Sequence, residues 1–588
     1  MKLITDYLLL RKTFSTHEMN QPFPITIAEL AQALFYTTRN VNHILNKMSQ
    51  LGWIAFESGR GRGHSSQMTF LVSSENLLLQ ECMEMAKRGD MESVFRLLRE
   101  FGTPEAKNHF IQWLSGYFGY EVSVEQSHYR ETIRLPIYRK INTLDPAECF
   151  FRLDSHMVKQ LFNTLVEFPT ECGLAHHWKR NEEATSWTLF LYKGVRFHHG
   201  KELSADDVVY TFKRMKENYP HLRWLVDQIQ EVRALSPYVV QFVLSKPNHL
   251  FLQYLAYTPS CIIPSDGVLQ SGTGPYKLAK KSDGILILEA FTDYFKERAH
   301  IDVVEIINIP EENEDFILDP SMVMVQTGEG VPPHSAPMDV HDEFVSGSCM
   351  LSVNLRKEGP LQNIHLRKAL THMINRARMI WDLGDPRFYP SSGFNLQMRP
   401  RFIDMDYELD KAKSYLALSE YKGETLALYT YKRHEADARW LKEQLRPFGI
   451  MVSITILTWR EMQDPKNQDQ ADFILFEAIL SEGEVQFIEL FQSGYSFIHN
   501  HLSVSLSAEL DEVIEEALAE PTEAARKQKL DTLEQKLKKE YACIFLVHKN
   551  IITVSPPSLK GVKINEKGWI DFKDLWFDHT SSQDGSFT

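Results

Sequence analysis

The 588 residues carry 43% hydrophobic and 24% charged side chains, ordinary for a globular chain and enough for roughly three to four domains. A formal net charge of −14 argues against a general nucleic-acid coat protein. No apolar run approaches the ~18 residues of a membrane span, and MKLITDYLLLRKTF lacks the parts of an export signal, so the expectation is a cytosolic protein without a membrane partner.

The charge is uneven. Within residues 1–72, Lys2, Arg11, Lys12, Arg39, Lys47, Arg60 and Arg62 face only Asp6, Glu18, Glu29 and Glu57, a net +3 that leaves −17 on the remainder. A small basic head on an acidic body suits localised DNA binding. The six cysteines, at 82, 149, 172, 261, 349 and 543, form no CxxC and no Cys/His cluster at zinc spacing, and read as reduced thiols.

In chain order, Leu3, Ile4, Tyr7, Leu8 and Leu10 predict a first helix, and Gln21-Pro22-Phe23-Pro24 breaks it. Thr26 with Glu29 has capping-box spacing and opens a short helix to about Leu34. After the turn at 35–37, Thr37 or Thr38 caps a second helix running to Leu51, where Gly52 stops it. Val41, Ile44, Leu45, Met48 and Leu51 form its buried stripe. Thr38, Arg39, Asn42, His43 and Asn46 are left for the other face. Arg and Asn can bond bidentately to guanine and adenine edges in a major groove, and their place in the first turns suits a recognition helix. Trp53–Phe56 and Met68–Val72 predict two strands around the glycine-rich loop 59–66. There Arg60, Arg62 and His64 would meet phosphates or a minor groove. TIAELAQAL and TTRNVNHILNKMSQLGWIAFESGRGRG resemble the N-terminal domain of SgrR-type transcriptional regulators. That resemblance implies a winged helix-turn-helix that binds promoter DNA, over residues 1–74.

Residues 75–127 predict a helical connector, with helices around 77–85, 91–101 and 104–117, read as a spacer packed on the wing domain. From about residue 128 the pattern is α/β. Ser186–Leu191 predicts a strand, Lys193-Gly194 a turn, and Ser204-Ala205-Asp206-Asp207 a helix cap. His198 and His199 are adjacent in an extended segment, so their side chains point to opposite faces and suit no shared metal ion.

WTLFLYKGVRFHHGKELSADDVVYTFKRM is similar to the signature segment of the family 5 (oligopeptide, dipeptide and nickel) solute-binding proteins. GTGPY at 272–276 and LRKAL at 366–370 follow in that family's order. The resemblance implies a type II binding-protein body with two α/β lobes, lobe one at 128–348 and 541–588 and lobe two at 349–540. Hinge strands are expected near Met350–Asn354 and Cys543–His548. Cleft candidates are Asn354, Trp381, Tyr389, Trp459 and Glu477. Phe476-Glu477-Ala478-Ile479 stands where many peptide binders carry a Trp- and Asp-containing segment, so the ligand stays open among peptide, sugar and sugar phosphate.

There is no GxSxG, HExxH or Walker A motif, so no catalytic residue, metal or cofactor is expected. Two readings follow. The first is a cytosolic one-component regulator, in which ligand closure alters the placement of the winged helix or the geometry of a homodimer. The second is a solute receptor of an ABC importer, taking a peptide, a sugar or a nickel chelate. The basic wing has no use in the second.

Overall fold

The computed structural model describes residues 2–59, 65–125, 128–138, 140–149, 152–310, 325–327, 339–344, 347–396, 400–480, 483–563 and 570–578. The first unit packs three helices, Lys2–Thr13, Ile27–Leu34 and Thr38–Gln50, on a three-stranded sheet. In that sheet Ser66–Phe70 lies between Phe23–Ile25 and Ile54–Glu57. The expected capping box is formed. Thr26 Oγ1 accepts from the Glu29 backbone N–H at 3.2 Å, and the Glu29 carboxylate accepts from the Thr26 N–H at 2.8 Å. Phe35 adopts the left-handed conformation (φ 57°) that turns the chain between the two helices. Tyr7, Leu10, Leu30, Leu34, Val41, Leu45, Met48, Ile54 and Phe70 close the core. The capping threonine of the second long helix is Thr37, whose side chain makes no cap bond.

The connector consists of helices Ser74–Lys87, Met91–Phe101 and Pro104–Tyr117, capped by Ser73, Asp90 and Thr103. It does more than rest on the wing domain, as expected from sequence. Its core joins Leu8 of the first helix to Leu78, Phe95, Leu98 and Phe110, and also to Ile285, Ile307 and Ile309 of lobe one. The connector also ends sooner than residue 127. Phe118 alone separates its last helix from Gly119–Glu125, which is a strand of lobe one.

Lobe one holds two sheets. Five strands lie in the order Tyr276–Lys281, Ile285–Ala290, Val303–Asn308, His128–Ile137, Gly119–Glu125. Only the Val303–Asn308 and His128–Ile137 pair is parallel. Four antiparallel strands, Ile229–Ser236, Val239–Leu244, Ser186–Leu191 and Ala175–Arg180, make the second sheet, covered by the helix Ala205–Asn218. The GTGPY turn needs its glycines: a Cβ on Gly272 would lie 1.9 Å from the Leu161 carbonyl oxygen, and one on Gly274 2.5 Å from that of Gln160.

Lobe two is built on a mixed sheet in which Thr425–Thr430 runs parallel to both Met451–Ile456 and Phe473–Ile479. Gly347–Val353 and Cys543–Ser555 continue it. Helices Ile364–Met373 and Glu435–Leu445 cover one face. Helices Gly483–Gln492 and Glu523–Glu540 lie on the other, in an apolar cluster that runs on into the four-stranded half of lobe one.

The expected hinge strands are not hinges. Met350 pairs with Phe545, Leu351 with Ile544 and Ser352 with Cys543, fully buried inside the lobe-two sheet. Cys543–Ser555 is thus a lobe-two strand, contrary to the boundary expected at 541. Val325–Thr327 and Asp339–Phe344 also pair with Cys543–Ser555, so the chain passes between the lobes before Val325 and after Ser555. The tail then returns to lobe one. Leu559, Ile570, Phe572 and Leu575 enter its core, and the Tyr276 hydroxyl donates to the Phe572 carbonyl at 3.2 Å.

Phe110 is fully buried where connector and lobe one meet. Phe110→Ala should therefore destabilise the protein by about 3–5 kcal/mol, read as a lower urea midpoint. Asn42→Ala, on an exposed face, should leave that midpoint in place.

Candidate DNA-reading face and solute cleft

Two places combine exposed or charged chemistry with an unfilled role. The first is the outer face of the helix Thr38–Gln50. Its apolar stripe, Val41, Ile44, Leu45 and Met48, is buried against the other two helices, and this fixes the opposite side outward. Thr38, Arg39, Asn42, His43 and Asn46 are all exposed there. No hydrogen bond or ion pair engages the side chains of Arg39, Asn42, His43 or Asn46 among the described residues. Arg60, Arg62 and His64 of the wing loop lie outside the described residues. The strands Ile54–Glu57 and Ser66–Phe70 that flank them pair from Ile54↔Phe70 to Glu57↔Gln67, so the loop leaves the tip of a regular hairpin.

The second place is the carboxyl end of the parallel strands of lobe two, where open α/β sheets bind ligands. Tyr431 follows the strand Thr425–Thr430, Trp459 follows Met451–Ile456, and Glu477 lies near the end of Phe473–Ile479. The Trp459 ring centroid is 5.9 Å from Tyr431 and 5.5 Å from Phe497, and Phe497 is 5.2 Å from Phe476. These rings form one aromatic wall.

Glu477 is half-buried, and no hydrogen bond or salt bridge engages its carboxylate among the described residues. Burial alone would raise its pKa. The charges of Lys549 and Arg433, with His434 and with Arg152 from lobe one, instead hold it down at about 2. An ionised carboxylate therefore stands in a field of cations contributed by both lobes.

Beneath it lies a buried ionic cluster. Asp437 accepts from Arg387 Nε at 2.5 Å and from Lys549 Nζ at 3.2 Å. His434 Nδ1 lies 3.4 Å from the Asp437 carboxylate and 3.4 Å from Lys549 Nζ. Burial opposes ionisation of Asp437, but Lys549, His434 and Arg387 keep it charged far below the usual carboxylate range. Burial, then the Lys549 charge, pushes His434 down to about 4, so its ring is neutral near pH 7. Cys349, His434 and Asp437 present ligand atoms within 4.8 Å of one another. The Lys549 ammonium already occupies their shared side, and burial pushes the Cys349 thiol up to about 12, so this donor set does not suit a cation.

The other sequence candidates separate. Asn354 is buried at the opposite end of the sheet. Its amide donates to the Ala471 carbonyl at 3.0 Å, and its side-chain oxygen accepts from the Arg356 and Lys357 N–H groups at 3.0 Å. It ties loops together and does not join Trp459 and Glu477. Trp381 is 70% exposed on the helix Arg376–Leu383, against Phe402. Tyr389 is half-buried on the strand Arg387–Pro390, its ring against Phe388. Tyr431, Arg433, Lys549 and Arg152 were missed. A sequence signal for Tyr431 existed, since it directly follows the β-branched and apolar run that ends at Thr430. His198 and His199 turn to different partners, the Gly274 carbonyl at 3.1 Å and Asp266 at 2.9 Å respectively.

The lobes meet along a seam beside this site. The Tyr257 hydroxyl donates to the Glu489 carboxylate, Lys246 pairs with Glu515, and the His249 N–H donates to the Leu518 carbonyl at 2.8 Å. The His221 ring stacks on Tyr495 at 4.3 Å.

Residues 2–118 match the family model described as sugar transport-related sRNA regulator N-term, and residues 170–487 match bacterial extracellular solute-binding proteins, family 5 Middle. The Bacillus subtilis protein YhjP is 32% identical over 98% of this chain and 100% of its own length. The HTH-type transcriptional regulator SgrR of Photorhabdus laumondii is 26% identical over 95% of this chain and 96% of its own. Among solved structures, the Helicobacter pylori periplasmic binding protein DppA aligns with TM-score 0.67 at 19% identity, over 76% of this chain and 98% of that one. The oligopeptide-binding protein AppA of Bacillus subtilis aligns with TM-score 0.64 at 20% identity, over 76% and 99%. At those identities the two structures speak for the fold of the lobes. With an SgrR-type N-terminal domain followed by a family 5 solute-binding body, matched to full-length relatives, this chain belongs to the SgrR-type transcriptional regulators.

Proposed function

We propose that this protein is a cytosolic one-component regulator that reads promoter DNA through Thr38–Gln50 and the wing, and senses a small solute between its two lobes. The observation that carries the reading is the row of exposed, unengaged Arg39, Asn42, His43 and Asn46 side chains, held outward by a fully packed stripe. A solvated polar face needs no such complement of base-reading side chains at its N-terminal turns, and the basic loop beside it adds phosphate affinity. In this reading Thr38, Arg39, Asn42, His43 and Asn46 meet the major groove, and Arg60, Arg62 and His64 meet the flanking backbone or minor groove.

The solute sits against the aromatic wall of Tyr431 and Trp459. Glu477 accepts hydrogen bonds from its amine or hydroxyl groups, and Arg433 and Arg152 face any anionic group. The DppA and AppA structures were determined with peptides bound, and the aromatic wall and charged groups here suit a small polar solute of peptide, sugar or sugar-phosphate type. Closure affects regulation only through the difference in the solute's affinity for the two states, typically about 1–3 kcal/mol of coupling.

The deciding experiment is fluorescence anisotropy of the full chain on its own upstream DNA, with and without a panel of peptides, sugars and sugar phosphates. Sequence-specific binding shifted by one member supports the reading. Absence of specific binding at moderate salt removes it. Arg60→Ala with Arg62→Ala should weaken binding to all sequences and flatten its salt dependence, because phosphate neutralisation sets that slope. Arg39→Ala or Asn42→Ala should instead relax base preference by about 1–3 kcal/mol per lost bidentate contact, measured across a set of single-base operator variants. Glu477→Gln keeps the shape but removes the charge. It should abolish the solute-induced shift while DNA binding in the absence of solute stays as in the parent.

A further inference from the structure

The regulator reading leaves open which part of the molecule moves when solute binds. We infer that the winged helix, the connector and lobe one form a single rigid body, and that lobe two is the part displaced relative to bound DNA. This rests on the reading above, and it places the output of the sensor on lobe two and not in the grip of the recognition helix.

Four observations carry it. First, no linker separates the units. Three residues lie between the wing strand Ser66–Phe70 and the helix Ser74–Lys87, and Leu77 of that helix is already part of the wing core. Phe118 alone lies between the last connector helix and Gly119–Glu125. Second, that strand pairs with His128–Ile137 in unbroken register from Gly119↔Arg134 to Glu125↔His128, so moving the connector would mean breaking a sheet of lobe one. Third, the apolar core is shared. Ile285, Ile307 and Ile309 pack among Leu8, Leu78, Phe95 and Phe110.

Fourth, the backbones touch. A Cβ built on Gly284 would lie 1.6 Å from the Gly89 carbonyl oxygen, and one on Gly89 (φ +84°) 2.6 Å from Ile285 Cβ. Such an approach exists only between two glycines and leaves no room for sliding. Around it, the Arg134 guanidinium bonds Glu305 at 2.7 Å and covers the Tyr117 ring at 4.5 Å, and Lys12 Nζ donates to the Glu100 carbonyl at 3.1 Å.

Lobe two stands differently. Neither apolar cluster that contains residues 2–118 includes any residue of 347–555 among the described residues. Lobe two shares no strand with either sheet of lobe one. It meets lobe one across the seam of Tyr257 with Glu489, Lys246 with Glu515 and His221 on Tyr495, and through the apolar cluster of side chains that helices Gly483–Gln492 and Glu523–Glu540 share with the four-stranded half of lobe one. Side chains packed across such an interface can part about a few connecting residues, whereas a strand hydrogen-bonded into the sheet and two backbones locked at Gly89 and Gly284 do not.

The test uses the full chain with Cys172→Ser, the other five thiols being buried. Nitroxide pairs at Ser49→Cys with Glu297→Cys, and at Ser49→Cys with Lys442→Cys, report wing to lobe one and wing to lobe two. Distances are read by pulsed electron spectroscopy before and after opening the seam with Lys246→Glu and Tyr257→Phe. The expected result is an unchanged distribution for the first pair and a shift of several ångströms for the second, with unchanged anisotropy on DNA carrying a single site. A shifted or broadened first pair overturns the inference, as does a second pair that does not move. Ile307→Ala, which hollows the shared core without a steric clash, should broaden the first pair while leaving the seam alone. Loss of DNA binding by every variant and the parent alike would count against the regulator reading, and the distances would still decide this one.

Discussion

The pairing of Gly119–Glu125 with His128–Ile137 is the constraint on which the arrangement of the whole molecule depends. Main-chain hydrogen bonds of a sheet edge are directional and cannot slide without passing through an unpaired state. By donating its last segment as an edge strand, the N-terminal unit acquires an orientation that hydrophobic packing alone would leave adjustable. The shared core of Phe95 and Phe110 with Ile285 and Ile307 then fills the angle between helices and sheet. The glycine pair at 89 and 284 lets the two backbones come close enough for that core to close.

Lobe two rests on a different balance. Strands Arg387–Pro390 and Cys543–Ser555 and the helix Glu435–Leu445 bury Arg387, Lys549 and Asp437 together, with the half-buried Glu477 beside them. Two cations and two carboxylates offset one another there, but hydrogen bonding is uneven. Asp437 receives Arg387 and Lys549 directly, while Glu477 has only the field of Lys549, Arg433 and Arg152. A buried ion pair is weak evidence for stability, because desolvation costs about what attraction returns. An ionised group with attraction but no bonded partner is better placed to receive one from outside.

How much of this the sequence disclosed varies with the range of the interaction. Local patterns were legible. The Thr26 capping box, the stripe of the helix Thr38–Gln50, the connector helices and the Ser204–Asp207 cap all depend on residues within a few positions of one another. The two-lobed fold was legible through resemblance. What failed was non-local. Gly119–Glu125 reads as the tail of a helical segment until its partner strand is known. Met350–Asn354 and Cys543–His548 were expected to bridge lobes from the family resemblance, yet they pair with each other inside one lobe. Asn354 carries a side chain common in binding clefts, but three carbonyls and two N–H groups claim it at the far end of the sheet. Trp459 and Glu477 come together because each lies near the end of one of two strands parallel to a common third, a relation that periodicity does not encode.

The tail that returns to lobe one has a consequence for the order of assembly. Phe577 stacks on Tyr120 at 3.6 Å, and Phe572 and Leu575 complete the core behind the strands of lobe one. A chain emerging from the ribosome presents its N-terminal three-helix unit first, and domains generally fold as units in that order. The three-helix unit precedes lobe one in the chain, but the floor to which it is bolted is finished only by Leu559, Ile570, Phe572, Leu575 and Phe577. A chain cut before Leu559 would therefore hold a formed three-helix unit on an unfinished frame. Only full-length chains would present the head in its fixed orientation.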